Sequence, residues 1–509
     1  MKKILNKENV LSIIFLLFCF SLFLFDFLKT EHYMSTYIIF GIVSIVVVIL
    51  IFLFFKKFKT IKKENYHKFY IVLVMVIGIL YIFLAPIYMG SDERSHFYRV
   101  YEITEGHLIT SADKVGRLTV MPRSLNKAYN GYDDENKVFK GTITYKDSIN
   151  KIKIPLDKEN KLIYCACNDT NYFGVSLYSP FQYIPQLIGV SIGKLFNLGP
   201  WFLIMLARLF NLIFFGIITT IGVKLLPKFK LPMILILLSP VVLSGATTVS
   251  ADGITNAYIF VFIAYIANII FNKLLVTTKD KVILSILVFL IAMCKIVYFP
   301  IMALLFLIPN NLFKSKKEGN LFKIILFIFG LFCSFVWLYI ASMFVDSQST
   351  TSVVQKEFIF SHPISYIMMI LKTYATYISE DLLNIFFGNQ MYHWSLKVYP
   401  LFSILYLLVI IASFFTEKAS LKLTKKSKIV VLFIIVIIIG LISTALFVQH
   451  NVSNSSVIGG IQARYFIPLC LLSILVIDIK KKRYSDKIVF WLYILLLFPT
   501  VLTVLLRFI

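Results

Sequence analysis

The chain has little charge, and little of what it has is acidic. Only 15% of its 509 residues are charged, with 26 acidic against 51 basic, while 59% are apolar. Globular domains sit near a quarter charged and half apolar, so this balance excludes a soluble fold. Cysteine is scarce too. Cys19, Cys294, Cys333 and Cys470 lie in apolar runs, where cysteine behaves as a small hydrophobe. Cys165 and Cys167 form a lone Cys-x-Cys, too few ligands for zinc and awkwardly spaced for a mutual bridge, so no disulfide framework is expected. No internal repeat and no low-complexity segment interrupts the chain.

What remains is hydrophobic run after hydrophobic run. Stretches of about 20 apolar residues match the length of a helix crossing a ~30 Å hydrocarbon core, as in TYIIFGIVSIVVVILIFLFF from Thr36. The net charge of +25 does not imply nucleic-acid binding, because the cations cluster in short links between these runs. They lie in KKFKTIKK from Lys56, KSKK from Lys314, KLTKKSK from Lys422 and KKKR from Lys480. Basic short loops follow from the positive-inside rule and from anionic headgroups.

The reading is an all-α polytopic membrane protein of about 13 helices. The spans are placed at 9–28, 36–55, 69–89, 201–223, 230–247, 252–273, 282–296, 297–311, 321–344, 398–416, 429–448, 464–478 and 488–507. The first follows Lys2, Lys3 and Lys7 but lacks a small-x-small cleavage site, so it is read as a retained signal anchor. With the N-terminus cytoplasmic, every lysine cluster falls inside. Residues 1–68 then form a hairpin with a basic link, and 69–509 form the membrane core. Two long loops, 90–200 and 345–397, lie outside; the second carries an amphipathic stretch from Pro363. The segment SLYSPFQYIPQLIGVSIGKLF from Ser176 is broken by Pro180 and Pro185, and is read as interfacial or re-entrant, buried against protein.

The densest polar cluster is GSDERSHFYRVYEITEG, from Gly90 to Gly106. Ser91 or Asp92 is placed to cap a helix and Gly106 to end it. On that helix Asp92, His96 and Arg99 share a side, while Phe97 and Tyr101 are expected in the headgroup layer. Further ionisable or polar residues sit within or at the ends of spans: Arg208 with Asn211, Asp252 near Ser250, Lys295, and Gln462 with Arg464. Such groups are costly in a bilayer and are functional candidates by default. Asp252, Lys295, Gln462 and Arg464 are inferred to lie at one level with Asp92 and Glu93. Cations there suit a lipid-linked phosphate, and a carboxylate above them suits a general base.

These residues resemble the bacterial membrane proteins grouped as domain of unknown function 2142, which are similar to the GT-C polyprenyl-phosphate-dependent glycosyltransferases. The resemblance runs in order through SDERSHFYRVYEITEG at Ser91, YSPFQYIPQ at Tyr178, ARLFN at Ala207, LSPVVLSGATTVSADGITNA at Leu238, KIVYFPIMALLFLIP at Lys295 and GGIQARYFIPL at Gly459. It implies an eleven-helix core, with spans 9–28 and 36–55 as an added hairpin, and an outer first loop carrying the catalytic acid. On that resemblance Asp92 is the base or acceptor-positioning group and Glu93 its partner. His96, Arg99, Tyr178 and Asp252 support them, and Lys295, Arg464, Gln462 and Arg208 hold the donor phosphate. The implied reaction moves a sugar from a polyprenyl-phosphate donor to a glycan, lipid or protein hydroxyl outside the membrane, with inversion. No cofactor is expected, and the lack of a metal-ligand cluster beside the Asp-Glu pair disfavours a divalent metal. Two other readings are a polysaccharide polymerase or ligase using the His362 to His393 segment, and a lipid-linked glycan flippase, which calls for a repeat the chain lacks.

Overall fold

The computed structural model describes residues 45–46, 49–50, 52–112, 117–129, 145–165, 170–342, 350–377, 400–421, 423–450 and 455–508. The span expected at 9–28, and most of that at 36–55, lie outside the described residues.

Helix α1 (Tyr66–Leu84) leads through a turn into α2 (Glu93–Thr104). A small antiparallel sheet follows, built from β1 (Ser111–Ala112), β2 (Arg117–Pro122) and β3 (Lys161–Cys165) in the order β1-β2-β3. Ser111 pairs with Leu118, and Leu118 with Cys165. The sheet was not foreseen. Its strands, RLTVMP and KLIYC, are too short to stand out beside the helical runs. Cys165 is disulfide-bonded, which corrects the expectation that the Cys-x-Cys pair carries no bridge.

Next come α3 (Ile184–Leu195) and α4 (Pro200–Leu225). At 12 residues α3 is shorter than a span, and its face of Pro185, Gln186, Gly189, Val190 and Gly193 is buried. Gly189 lets the two backbones meet: a Cβ there would lie 2.6 Å from the Leu206 carbonyl oxygen.

The expected span at 230–247 is broken into α5 (Lys230–Leu237) and α6 (Pro240–Thr247), bent by 57°. Pro240 supplies no N–H and holds Ser239 extended, which stops the first helix and starts the second. Helix α7 (Asp252–Asn272) follows and is the centre of the bundle, with most of its length buried. Helix α8 (Thr278–Ala292) starts with a capping box, in which the Thr277 amide donates to Asp280 at 2.8 Å and Asp280 N–H donates back to the Thr277 hydroxyl. Residues Ile296–Leu307, expected as a span, form a 3₁₀ helix with Pro300 inside it.

The chain continues through α9 (Lys316–Ser342), α10 (Thr350–Ser361), α11 (Pro363–Tyr377), α12 (Pro400–Phe414) and α13 (Lys425–His450). A broken segment over Ala463–Val476 precedes α14 (Asp486–Phe508). Helix α9 lies at the periphery, with only 22% of its window buried, and shows Ile324, Ile325, Ile328, Phe332 and Phe335 outward. An apolar exterior of that kind suits lipid.

By length and composition, five of the described helices can cross a membrane, or six if the bent pair is one span. An α-helical membrane protein is therefore what the chain folds into. The finer count of thirteen included short or broken pieces such as Ile296–Leu307 and Ala463–Val476.

The close approach at Gly189 yields a test of the fold. Gly189→Ala should lower the melting temperature in detergent and Gly189→Leu should lower it further, because overpacking costs about 1–3 kcal/mol and backbone cannot give way. Equal melting curves for the two variants and the parent would show that α3 and α4 are not packed at this distance.

Candidate functional site

Five stretches of chain far apart in sequence meet at one point. The turn after α1 brings Ser91 and Asp92, and α2 brings His96. A 3₁₀ turn over Pro180–Tyr183 follows Tyr178. The start of α7 brings Asp252, the residue before the 3₁₀ helix Ile296–Leu307 is Lys295, and the 3₁₀ turn Ala463–Phe466 carries Arg464. Most of these positions lie at or beside the start of a helix or 3₁₀ turn.

The charges interlock. Lys295 Nζ donates to Asp252 Oδ1 at 2.5 Å, and Arg464 Nη2 donates to Asp92 Oδ2 at 2.5 Å. Arg464 Nη1 lies 3.5 Å from Asp252 Oδ2 and donates to the Ser91 carbonyl at 3.4 Å. Two cations and two carboxylates thus form one network between residues 92 and 464. Aromatic rings wall it. Lys295 Nζ stands 5.5 Å from the Tyr178 ring centroid and 5.2 Å from that of Tyr465, and His96 stacks on Tyr178 at 6.0 Å. Tyr298 fixes the far side by donating to the Tyr465 carbonyl at 2.9 Å.

Asp92 stands apart from its neighbours. Its side chain is 30% exposed, against 10% or less for Asp252, Lys295 and Arg464. Its backbone is left-handed, with φ at +56°, a costly conformation that asparagine and aspartate tolerate best. It sits at the N-cap position of α2 but makes no capping bond, because the carboxylate turns to Arg464 instead. Burial alone would push this carboxyl up. Arg464, His96 and Lys295 outweigh that and hold it below the usual carboxylate range. Burial pushes His96 down to about 4 despite Asp92 nearby, so its ring is neutral at pH 7, and Nδ1 meets the Tyr183 hydroxyl at 2.6 Å.

Three expected site residues go elsewhere. Glu93 and Arg208 close on each other: Arg208 Nε reaches Glu93 Oε1 at 2.7 Å and Nη2 reaches Oε2 at 2.6 Å. Glu93 also accepts from the Val249 amide at 2.9 Å and the Gly90 amide at 3.1 Å. The remaining Arg208 donors reach the carbonyls of Ile82, Ala85 and Pro86. All five N–H groups of that guanidinium are therefore used, which leaves none for a donor phosphate. Arg99 is fully buried and bonds Glu102 at 2.8 Å, the Leu108 carbonyl at 2.5 Å and the Tyr178 carbonyl at 3.3 Å, so it braces the loop behind the site. Phe97 and Tyr101 are buried within the protein rather than in headgroups, since α2 is covered on all sides. Gln462 is half-buried at the N-cap position of the turn that carries Arg464. His362 is exposed and bonded to Ser361, and His393 lies outside the described residues.

The structure adds residues that sequence reasoning passed over. Tyr183, Tyr298 and Tyr465 line the cluster, each within a quoted block but hidden among many aromatics. Gln182 is fully buried, and neither end of its amide finds a hydrogen-bond partner among the described residues; the same holds for Asp252 Oδ2 and Arg464 Nε. Buried polar atoms nearly always have partners, so these three residues keep hydrogen-bonding capacity beside the cluster. A cavity of about 10 Å³, room for one water, opens between Ser91, Ser244, Thr248, Asp252, Asn256 and Arg464. No group of three or more metal-ligating side chains occurs among the described residues.

A bundle of apolar helices closed around an interlocked charge cluster defines a polytopic membrane protein with a polar site. The chain belongs to the family described as predicted membrane protein (DUF2142), whose model matches residues 75–473 and so takes in every residue of the cluster. No curated protein and no solved structure matches the chain.

Two outcomes follow. Removing one partner of the Glu93–Arg208 pair strands a buried charge, at a cost of about 3–5 kcal/mol, so Arg208→Ala should abolish folded protein on size-exclusion chromatography. Recovery of normal monodisperse protein would show the pair to be dispensable. The second concerns acid. His96 stays neutral when folded but takes a proton below about pH 6.5 when unfolded, so the folded state binds fewer protons and stability falls as pH drops from about 6.5 towards 4. Depression of Asp92 acts in the same direction at lower pH, where its pairing with Arg464 is lost. A melting-temperature profile should show the upper part of this decline, and His96→Asn should flatten it.

Proposed function

We propose that the chain is a membrane glycosyltransferase that moves a sugar from a polyprenyl-phosphate donor to an acceptor hydroxyl. The observation that carries this reading is Asp92, a partly exposed carboxylate tied to Arg464, with Lys295 and Asp252 one step further in. Two cations at a helix-end cluster suit the phosphate of a lipid-linked donor, whose isoprenoid stays in the bilayer. The family resemblance to GT-C enzymes supports the same assignment.

In the structure the cations are held by the protein's own carboxylates. An arriving phosphate would take those places on Lys295 and Arg464 and release Asp92. Freed from Arg464, that carboxylate regains basicity just where an acceptor hydroxyl must lose its proton. The hydroxyl oxygen then bonds to the anomeric carbon as the carbon–oxygen bond to phosphate breaks. The electron pair leaves with the phosphate, whose growing charge Lys295 and Arg464 stabilise. One displacement of this kind inverts the anomeric centre. His96, neutral and bonded to Tyr183, positions Tyr178 and shapes the acceptor side. Glu93 and Arg208 fix the turn that carries Asp92 and take no part in the chemistry.

The proposed setting is the outer face of the cell membrane, with the N-terminus cytoplasmic. The lysine-rich links support it, and so does the disulfide at Cys165, since disulfides persist in oxidising compartments. The acceptor is a glycan, lipid or protein, and neither a cofactor nor a metal is invoked.

Asp92→Asn keeps size and tolerance of the left-handed backbone but removes the base. Turnover with a lipid-linked sugar in detergent should fall by ~10²–10⁴-fold while donor binding persists. Lys295→Ala and Arg464→Ala should instead weaken donor binding, by roughly 1.5–3 kcal/mol each for a lost charge-assisted bond. Normal turnover by Asp92→Asn would remove the base from the mechanism, and normal donor binding by both alanine variants would remove the phosphate site.

A further inference from the structure

Helix α11 is amphipathic in the inverted sense. Its inward face is polar and hydrogen-bonded: the Tyr366 hydroxyl meets Thr444 Oγ1 at 2.8 Å, the Tyr374 hydroxyl meets Ser443 Oγ at 3.0 Å, and Thr373 Oγ1 accepts from the Ile458 amide at 2.9 Å. Its outward face is the apolar one, with Ile364, Ile367, Met368 and Leu371 between 56% and 78% exposed. That spacing (i, i+3, i+4, i+7) is one continuous helical stripe. In water this arrangement is the wrong way round.

Its orientation explains the inversion. Tyr366 and Tyr374 are eight residues apart, about 12 Å along a helix, yet both converge on one turn of α13. Neighbouring contacts agree: Tyr366 also meets the Phe447 ring, whereas Tyr374 meets Phe466, beside Arg464. A helix running alongside α13 would instead meet partners eight residues apart. Helix α11 therefore crosses α13 near the C-terminal end of α13, on the side of the Asp92 cluster.

Beside the stripe is a groove of about 540 Å³ lined by Phe358, Met368, Met369, Leu371, Lys372 and Ser456, among others. Its walls are almost wholly apolar, and the one cation, Lys372, is exposed and has no carboxylate partner among the described residues. We propose that α11 is an in-plane interfacial helix and that this groove seats one acyl chain of an anionic bilayer phospholipid, with Lys372 on its phosphate. The apolarity of the groove suits an acyl chain, and a lone lysine among its lining residues suits a negative headgroup. This assignment is independent of the glycosyl-transfer reading.

The test uses the full chain in vesicles of mixed phosphatidylglycerol and phosphatidylcholine, with a photo-reactive benzoylphenylalanine in place of Ile367 or Leu371. Mass spectrometry should find lipid adducts at both positions but not at the exposed polar position Lys356 on α10. Phosphatidylglycerol should be captured about five-fold over its share, and Lys372→Gln and Lys372→Glu should both erase that preference. Adducts to protein instead of lipid would place the stripe against a second copy or another segment, and would overturn the proposal. Equal capture of both lipids, unchanged by Lys372 substitution, would overturn the headgroup site. Displacement of phosphatidylglycerol by a few per cent of added polyprenyl phosphate would assign the groove to a substrate and likewise overturn it. Transferase activity enters none of these readouts, so failure here and failure of the enzymatic reading are separable.

Discussion

Every N–H of Arg208 ends on the exit of α1 or the start of α2, either on the carbonyls of Ile82, Ala85 and Pro86 or on the carboxylate of Glu93. That single guanidinium, inside an apolar helix, converts a flexible connection into a rigid one. Glu93 in turn reaches the Val249 amide, just ahead of α7. The pair thus ties three elements together: the exit of α1, the start of α2 and the approach to Asp252. Asp92 is covalently next to Glu93, so its left-handed backbone is held from one side by this anchor and from the other by Arg464. The exposed carboxylate owes its position to a buried one.

Much of this was legible in the sequence as an ordered set of blocks. Asp92, Asp252, Lys295 and Arg464 stand out because an ionisable group at a span end must be satisfied by something, and they satisfy one another, while Tyr178 comes from the family resemblance. What spacing could not supply was the pairing. Arg208 looked like another phosphate ligand because depth along a helix says nothing about which neighbour a side chain faces. The resemblance makes Glu93 a partner of Asp92, but adjacent residues on a helix point about 100° apart, and Glu93 turns to Arg208.

The misreadings around α2 have one cause. The spacing puts Arg99 on one side with Asp92 and His96, and Phe97 and Tyr101 in the headgroup layer. Instead the sheet, α3 and the loop 107–110 cover it completely. Burial reverses the role of each residue: Arg99 becomes a brace, and Phe97 and Tyr101 become core. The sheet itself escaped notice because a few strand residues in RLTVMP and KLIYC are no match, in pattern strength, for twenty-residue apolar runs. Helix α11 shows the complementary point. Its periodicity was plain from Pro363 onward, but periodicity does not say which face meets the protein, and here the polar one does.

The bond between Asp92 and Arg464 joins positions 372 residues apart in the chain. A ribosome delivers Asp92 early and its partner Arg464 only 372 residues later. Until residue 464 has entered the bilayer, Asp92 and Asp252 have only Lys295 between them, and the polar centre is short of one positive charge. Completion of the charge network therefore waits on residue 464. A chain that stops short of residue 464 keeps both carboxylates but only one of their cations, which leaves an unbalanced negative charge among apolar helices.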